Sequence, residues 1–434
     1  MSMPTSSFFY RHLAVLATVV LSACTTTEAP RTAADVSRAP VTAPIRLLAF
    51  GDTGYHYDYL DAEDYQTVVT EQQFLATERQ DWIDDKRPIG ELAYPPMYRL
   101  PGNGSMVAAS GLAPVAAAMR DYCVDIGCDF AAMLGDNIYP DGATGGADGR
   151  DADRFRDLFM TPFAPLANEQ KDFRIYTVLG NHDWRTSRAG AMAQVRFMES
   201  TPPFYMAGLF YRVAPPAAHG QLEIFAIDTE VILAGTTVHQ AHLADDASEL
   251  PSDRVVKPLA GAVPQSEAEK NMVRWLEQAL ASSNARWKIV IGHHPLWSTS
   301  GSKFEQARAL RRLILPTLCR YADAYLAGHE HTLEVHSDDC SQALPGERVA
   351  PLAQVVSGSA AKMRPTNSAF VRHQLAANPQ LRTLYAKGLV WGFAHFTFDD
   401  ERVTVRILET PSDGGAVAKE TFQHSFARRS RGEP

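Results

Sequence analysis

An aspartate and a tyrosine lie three residues apart in the block Gly135-Asp136-Asn137-Ile138-Tyr139, directly after an apolar run at 130–134. A carboxylate and a phenol are hard oxygen ligands, and this pairing suits a ferric ion. Four further blocks of ligand-type residues occur in the chain, and each opens on a glycine. They are Gly51-Asp52-Thr53-Gly54, Gly180-Asn181-His182-Asp183, Gly292-His293 and Gly328-His329-Glu330-His331. Together, the five blocks indicate a metal site assembled from distant segments.

Two aspartates, one tyrosine, one asparagine and three histidines form the candidate ligand set: Asp52, Asp136, Tyr139, Asn181, His293, His329 and His331. This mixture of oxygen and nitrogen ligands is too large for one metal and suits two. Two cations about 3.5–4 Å apart, bridged by one carboxylate, can activate water and hold a phosphoryl group from both sides. Asp136 is the candidate bridge. His329 and His331 alternate by two, so in an extended turn both project towards one crevice and can serve different metals.

The elements that must position these residues alternate between short apolar runs and amphipathic segments from residue 45 onward, which predicts an α/β layered fold. Each predicted strand ends at or near a glycine, an aspartate or a histidine. In open α/β sheets the ligand crevice lies beyond the carboxyl ends of the strands, so we expect the polar residues to converge there. The predicted strands are 46–50, 130–134, 174–179, 222–227, 287–291, 324–327 and 354–357.

Helices are predicted at 112–124, 153–159, 266–281 and 304–321, and a hairpin at 392–398 and 402–408. The segment from Tyr55 to Gly104 breaks this alternation. It is acidic and rich in Tyr and Gln, and it separates the first strand from the next helix, so we interpret it as an insertion. Two hypotheses remain open for it: a lid at the site entrance, or a surface segment without a chemical role.

The N-terminus predicts export. An apolar stretch at 13–21 follows Arg11 and His12 and is too short to span a bilayer as a stable helix. It ends in Leu21-Ser22-Ala23-Cys24, which resembles a bacterial lipobox, so residues 1–23 are predicted to be a lipoprotein signal peptide and Cys24 a lipid-anchored residue. An ordinary cleaved signal with an incidental cysteine is the alternative. Thr25 follows the cysteine instead of an aspartate, which by resemblance to lipoprotein sorting favours the outer membrane, facing the periplasm. A Thr/Ala/Pro-rich segment at 24–44 then predicts a flexible tether.

Four cysteines remain after such processing: Cys123, Cys128, Cys319 and Cys340. An exported protein can oxidise them. Proximity in sequence favours the pairs Cys123 with Cys128 and Cys319 with Cys340, and four free thiols are the alternative.

Length and charge are typical of a soluble globular domain with insertions. The 434 residues carry a formal net charge of −9, and no basic patch predicts nucleic-acid binding. The basic run at 428–431, within a tail at 426–434, is expected to be solvated.

The ordered blocks resemble the calcineurin-like metallophosphoesterase superfamily. Tyr139 within Gly-Asp-x-x-Tyr makes the chain similar to the purple acid phosphatase branch, in particular its tartrate-resistant type, and residues 293–298, 356–358 and 392–394 extend the likeness. The resemblance implies an α/β four-layer sandwich of two mixed β-sheets flanked by helices over residues 45–425, excluding the insertion.

The resemblance also implies how the ligands divide. One site, ferric in this family, holds Asp52, Asp136, Tyr139 and His331, while a divalent iron, zinc or manganese site holds Asp136, Asn181, His293 and His329. His182 is implied to stabilise the transferring phosphoryl group or protonate the leaving oxygen, with Asp183 orienting it.

Two further residues and one segment outside the ligand set are interpreted separately. For His294, a supporting role behind the ligands is left open. Asp228 is interpreted as a structural turn residue. Tartrate-resistant enzymes carry a further histidine shortly beyond the position of Trp297-Ser298, where this chain has Thr-Ser-Gly-Ser-Lys at 299–303. Lys303 or Ser302 is the candidate replacement for its phosphate contact.

These observations predict a dinuclear-metal phosphohydrolase that acts on small phosphate monoesters through water activated by the metals. Phosphodiester or nucleotide hydrolysis on the same scaffold is the alternative. A non-catalytic surface binding module is a more remote one.

Overall fold

The computed structural model describes residues 43–60, 67–147, 149–168 and 170–429. The predicted signal peptide, residues 24–42 of the predicted tether and residues 430–434 of the tail lie outside the described residues. Within them, no helix is long and apolar enough to cross a bilayer.

Eighteen strands are present in the described chain, and they are numbered in chain order. They are β1 (Ile45–Phe50), β2 (Met97–Arg99), β3 (Met106–Ala108), β4 (Phe130–Leu134), β5 (Ile175–Val178), β6 (Phe204–Tyr205), β7 (Tyr211–Val213), β8 (Leu222–Ala226), β9 (His239–Leu243), β10 (Glu249–Val255), β11 (Trp287–Ile291), β12 (Ala324–Ala327), β13 (Leu333–Asp338), β14 (Leu352–Ser357), β15 (Leu381–Lys387), β16 (Trp391–Phe398), β17 (Arg402–Thr410) and β18 (Lys419–Ala427).

The α-helices of the described chain are numbered in the same way. They are α1 (Glu71–Asp84), α2 (Leu112–Ile126), α3 (Asp151–Phe155), α4 (Thr161–Phe163), α5 (Asn181–Trp184), α6 (Arg188–Ser200), α7 (Thr229–Ala234), α8 (Glu267–Lys270), α9 (Met272–Ala281), α10 (Phe304–Tyr321) and α11 (Ser368–Ala377).

Two seven-stranded mixed sheets form the centre of the molecule. The first has the order β18-β17-β16-β1-β4-β5-β6, and the second has the order β15-β13-β14-β12-β11-β8-β7. In the first sheet β1, β4 and β5 run parallel. In the second sheet β8, β11, β12 and β14 run parallel. The parallel strands of both sheets are almost entirely buried, as strands covered on both faces must be.

The two sheets pack against each other and carry helices on their outer faces. Strand β16 contacts β13 and β14 of the opposite sheet, and the ring of Trp287 packs edge-on against that of Phe398 at a centroid distance of 5.3 Å. Helix α2 packs on β16 and β17, while α9 packs on β8. The predicted four-layer sandwich is confirmed.

Most predicted elements are present within two residues of their predicted bounds, and 130–134, 287–291, 324–327 and 304–321 match in full. The helix predicted at 266–281 is interrupted at Asn271, whose side chain donates a hydrogen bond of 2.7 Å to the carbonyl of Glu267 and competes with the helical backbone. The helix predicted at 153–159 begins earlier, at Asp151, and passes into a π-helical turn at Arg156–Met160.

The described part of the predicted insertion is folded. It contains α1, whose first turn is capped by Thr70 and Gln73, and the strand β2, which pairs with β3. It also contacts the main domain away from its two ends, because Asn367 donates a hydrogen bond of 2.9 Å to the carbonyl of Asp85. The described part of the insertion is therefore attached to the domain between its ends as well as at them.

Both favoured cysteine pairings are confirmed: Cys123 is bonded to Cys128 and Cys319 to Cys340. The expectation of a solvated basic tail is wrong at Arg429. This guanidinium is buried and donates hydrogen bonds to the carbonyls of Leu318, Cys319 and Ala322. Two of these carbonyl groups lie in the last turn of α10 and the third lies directly after it, where a cation is favoured by the helix dipole.

Candidate metal centre

The seven candidate ligands lie together where the two sheets meet. Asp52, Asp136 and Asn181 follow β1, β4 and β5 of the first sheet. His293 and His329 follow β11 and β12 of the second sheet. Each sheet thus contributes the carboxyl ends of its parallel strands, which is the convergence that the sequence predicts.

The backbone is strained at four of these positions. Asp52, Asp136, His329 and His331 have φ angles of +57°, +53°, +73° and +45°. Left-handed backbone costs a residue with a β-carbon roughly 1–2 kcal/mol and is tolerated best by Asp, Asn and His. Strain of this kind persists where the surrounding structure holds it and clusters at functional sites.

Glycines next to the ligands allow the loops that carry the ligands to approach closely. A β-carbon on Gly180 would lie 2.2 Å from Oδ1 of Asp136, and one on Gly328 would lie 2.5 Å from Oδ2 of Asp52. Both distances are far inside van der Waals contact. The absence of a side chain is therefore required for these two carboxylates to occupy their positions.

One group of ligand atoms surrounds the hydroxyl of Tyr139. Its oxygen lies 3.0 Å from Oδ1 of Asp52, 2.8 Å from Oδ2 of Asp136 and 3.0 Å from Nε2 of His331. Nε2 of His331 is 3.4 Å from Oδ1 of Asp52. Four atoms that can bind a metal, one from each of four side chains, thus lie around one position.

A second group surrounds the side-chain oxygen of Asn181. Nδ1 of His329 lies 2.9 Å from Oδ1 of Asn181, and Nε2 of His293 lies 3.3 Å from it. Nε2 of His293 is also 3.3 Å from Oδ1 of Asp136. Asp136 therefore directs one oxygen to each group, in the arrangement of a bridging carboxylate.

Two of the buried oxygen ligands, Asp52 and Tyr139, favour their neutral forms when only protein groups surround them. Burial raises the pKa of Asp52 well above its usual range, and the nearby Asp136 adds to the effect while His293 opposes it. Burial also raises the pKa of Tyr139, and the two carboxylates raise it further. Cations bound at this cluster would add positive charge and favour the ionised forms of these ligands. Hard oxygens in one group and imidazoles with an amide in the other fit two metal ions.

The family model for calcineurin-like phosphoesterases matches residues 45–333. The chain belongs to the calcineurin-like phosphoesterase family. Its relatives include tartrate-resistant acid phosphatase type 5 of Mus musculus, which is 27% identical over 311 residues covering 70% of this chain and 81% of the mouse protein. Purple acid phosphatase 17 of Arabidopsis thaliana is 27% identical over 279 residues, covering 64% of this chain and 71% of the plant protein. The resemblance to the purple acid phosphatase branch is thereby confirmed.

A comparison with solved structures shows the same fold. GAP50, described as the anchor in the inner membrane complex of Plasmodium, superposes on this phosphoesterase with a TM-score of 0.53 and 15% identity, covering 90% of each chain. At that identity the likeness concerns the fold alone.

His182 lies beside the ligands of this phosphoesterase without joining either group. Its ring packs 4.1 Å from the ring of Tyr139, and its Nε2 is 4.0 Å from Oδ2 of Asp136. Its Nδ1 is 2.5 Å from the carbonyl oxygen of Pro140, which fixes Nδ1 as the protonated nitrogen. The side chain keeps 14% of its surface exposed, so it is accessible at the edge of the site.

Asp183 does not orient His182 as predicted. Its carboxylate accepts hydrogen bonds from the backbone N–H groups of Gly180, Asn137 and Ile138, at 2.8–3.1 Å. These groups belong to the loops that carry Asp136 and Asn181. The adjacency of Asp183 to His182 in sequence suggested a contact, but the short helix α5 directs the two side chains to different partners.

His294 packs behind the second group of ligands. Its ring is 4.4 Å from the ring of His329, and its Nδ1 is 2.8 Å from the hydroxyl oxygen of Thr229. His294 therefore packs against the ligand residue His329 without belonging to either group, which is the role that the sequence left open for it. Asp228 has the structural role predicted for it: it caps α7 and accepts a hydrogen bond of 3.0 Å from the indole of Trp184.

Several cationic side chains surround the centre of the phosphoesterase. Lys303 lines a small cavity of about 150 Å³ together with Asn181 and Arg185, whereas the hydroxyl of Ser302 accepts a hydrogen bond from Arg364. Lys362 lies over the ring of Tyr139 at 4.9 Å. Three of these cationic residues were not predicted from the sequence: Arg185, Lys362 and Arg364. The position of Lys362 shortly after the block at 356–358 was the one available signal.

Proposed function

We propose that this phosphoesterase hydrolyses phosphate monoesters with a dinuclear metal centre. Iron(III) would be held by the group around Tyr139, with Asp52, Asp136 and His331. A divalent iron, zinc or manganese ion would be held by Asn181, His293, His329 and the second oxygen of Asp136. The observation that carries the proposal is the pair of donor groups that share Asp136.

The two cations, when bound, activate water and stabilise the negative charge of the reacting phosphoryl group. The chain supplies the remaining functions. The carbonyl of Pro140 holds the ring of His182 at the edge of the cluster, where the ring can donate a hydrogen bond to the phosphoryl group or to the leaving oxygen. Lys362 and Arg185 add positive charge on the same side, which favours an anionic phosphate.

Two observations support a phosphatase over the other hypotheses. The relatives named above are acid phosphatases, and the ligand set is complete, with His182 in place. A module that only binds a partner does not need seven buried ligand residues around two points, several of them strained. Phosphodiester or nucleotide hydrolysis remains the alternative because one phosphoesterase fold hosts many ester specificities.

The test compares p-nitrophenyl phosphate with bis(p-nitrophenyl) phosphate on the purified, metal-loaded protein. We expect a higher kcat/KM for the monoester, and we expect Asp136→Asn to abolish turnover of both esters. A strong preference for the diester would overturn the monoesterase proposal. Turnover that survives in Asp136→Asn would overturn the role of this centre.

We also propose that the protein is exported and anchored by a lipid at Cys24, facing the periplasm from the outer membrane. The lipobox-like sequence supports this, and so do the two disulfides, because disulfides persist in oxidising compartments. Replacing Cys24 with Ser should move the protein from the membrane fraction to the soluble fraction. An unchanged membrane fraction would contradict the anchor.

A further inference from the structure

A cavity of about 450 Å³ lies beside the metal centre, between the insertion and the main domain. The main domain contributes Tyr139, Pro140, His182, Arg185 and Lys362 to its wall. The volume falls within the range of about 300–1,000 Å³ that is typical of ligand pockets. It is larger than the cavity of about 150 Å³ on the Asn181 side of the centre.

The opposite wall is mainly apolar and comes from the insertion and from β3. Leu60, Val69 and Phe74 line it from the insertion, and Met106 lines it from β3. On α1, Phe74, Thr77 and Glu78 are spaced by three and four residues, so one face of the helix is directed into the cavity. An apolar wall of this kind favours an organic group over solvent.

This wall is held in place by aromatic and hydrogen-bond contacts. The ring of Tyr57 stacks on that of Tyr98 at 3.9 Å, and the hydroxyl of Tyr55 donates a hydrogen bond of 2.9 Å to the carbonyl of Ala108. Lys362 connects the two sides, since its ammonium group lies 5.1 Å from the ring of Tyr55 and 4.9 Å from that of Tyr139. The cavity is therefore a preformed feature of the described chain.

The position of His182 determines which part of a substrate would occupy this cavity. His182 lines the larger cavity and not the smaller one. Of the two roles proposed for His182, donation to the leaving oxygen places the alcohol portion of the ester in the larger cavity, extending from His182. The positively charged Lys362 and Arg185 would then contact the phosphate, and the apolar wall would contact the carbon skeleton of the alcohol.

We infer that the insertion forms a leaving-group pocket that selects phosphate monoesters of aromatic alcohols. This inference rests on the proposed function and adds a substrate class to it. Aromatic rings bury a large apolar area at small entropic cost and pair well with Tyr and Phe side chains. Tyr55 and Phe74 supply such partners in the wall.

The test measures binding of two non-hydrolysable probes, naphthylmethylphosphonate and methylphosphonate, to the full-length, metal-loaded protein by titration calorimetry. We expect the naphthyl probe to bind at least about tenfold more tightly, equivalent to about 1.4 kcal/mol. Thr77→Trp places a large side chain in the cavity and should remove this advantage while leaving methylphosphonate affinity within about twofold. Equal affinity of the two probes for the wild-type protein would overturn the inference.

The matched control is Gln72→Trp, because Gln72 lies on the exposed face of the same helix and does not line the cavity. It should change neither affinity. Val69→Asp offers a second variant, in which a carboxylate in the apolar wall should also remove the naphthyl advantage. Naphthyl affinity that survives in both folded cavity variants would contradict the pocket. If the naphthyl probe still binds more tightly than methylphosphonate but the protein hydrolyses no phosphate monoester, the proposed function is contradicted and the pocket is not.

Discussion

The phenolic oxygen of Tyr139 lies 2.8 Å from Oδ2 of Asp136, while the other oxygen of the same carboxylate faces His293 at 3.3 Å. Tyr139 and Asp136 are three residues apart in sequence and meet again across the loop that follows β4. This contact places the phenol in one donor group only. The two metal positions are therefore chemically different, with a hard oxygen-rich group at one and an imidazole-rich group at the other.

Replacing Tyr139 with Phe tests this difference. The variant removes the phenol and keeps its ring, so we expect the visible absorption of an iron-loaded protein to disappear while His293 and His329 keep the second group intact. Absorption spectroscopy with elemental analysis measures both effects. Tyr211→Phe is a matched control, because its hydroxyl is also buried but bonds to the carbonyl of Thr177 away from the centre. An unchanged visible spectrum in Tyr139→Phe would exclude Tyr139 as the chromophore.

His182 and Asp183 are neighbours with separable roles. Replacing His182 with Ala should lower turnover about 10²–10⁴-fold, the range expected when a positioned proton-transfer group is lost. Metal content should stay near that of the wild type, because His182 belongs to neither donor group. Loss of both metals would mean that His182 is a ligand.

Asp183→Asn should instead weaken metal binding, since the amide accepts fewer of the backbone N–H groups from the Asp136 and Asn181 loops. We expect metal affinity to fall about 10–100-fold, as for other residues that hold ligands in place. Competition with a chelator measures it for both variants. Wild-type affinity combined with low turnover would show that Asp183 acts on the substrate instead.

Glu334 supports the fold through a buried hydrogen-bonded pair. Its carboxylate lies 2.6 Å from Nε2 of His336 and accepts hydrogen bonds from the hydroxyl groups of Thr299 and Thr332. Burial opposes ionisation, but these partners outweigh it and hold the pKa of Glu334 below its ordinary value of 4.5. The carboxylate therefore stabilises the fold fully above pH 4.5, and the contribution is lost as pH falls through the lower folded pKa.

Glu334→Gln should accordingly lower the free energy of unfolding by about 3 kcal/mol near pH 7. The difference from the wild type should shrink as pH falls below 4.5, and urea denaturation across this range measures it. Glu401→Gln is the control, because Glu401 is exposed. A difference that is independent of pH would contradict the stabilising role of the ionised carboxylate.

Sequence reasoning located the ligands because each follows a short apolar strand, and the carboxyl ends of parallel strands must meet. It located neither α1 nor the cavity wall. Only Phe74 and Trp82 are buried on α1, so the helix lacks the apolar stripe that periodicity detects. The edge strand β18 was missed for a similar reason, since most of its residues are exposed.

Contacts between distant segments also escaped prediction. Lys362 lies over the ring of Tyr139 from a loop after β14, and its position shortly after the block at 356–358 does not by itself predict that contact. Asp183 was assigned to His182 because the two are adjacent, whereas hydrogen bonds from Asn137 and Gly180 determine its position. The strand ends thus predicted the location of the site well, whereas adjacency in sequence predicted the partners of its supporting residues poorly.

The metal content of the wild type and of Asp136→Ala tests the central claim most directly. After loading with iron and zinc and removal of unbound ions, inductively coupled plasma mass spectrometry should find two metal ions per wild-type chain. Asp136→Ala should retain neither ion at the wild-type affinity, because both donor groups lose a ligand together. A wild-type chain that saturates at one ion, or an Asp136→Ala chain that still binds two, would contradict the shared carboxylate.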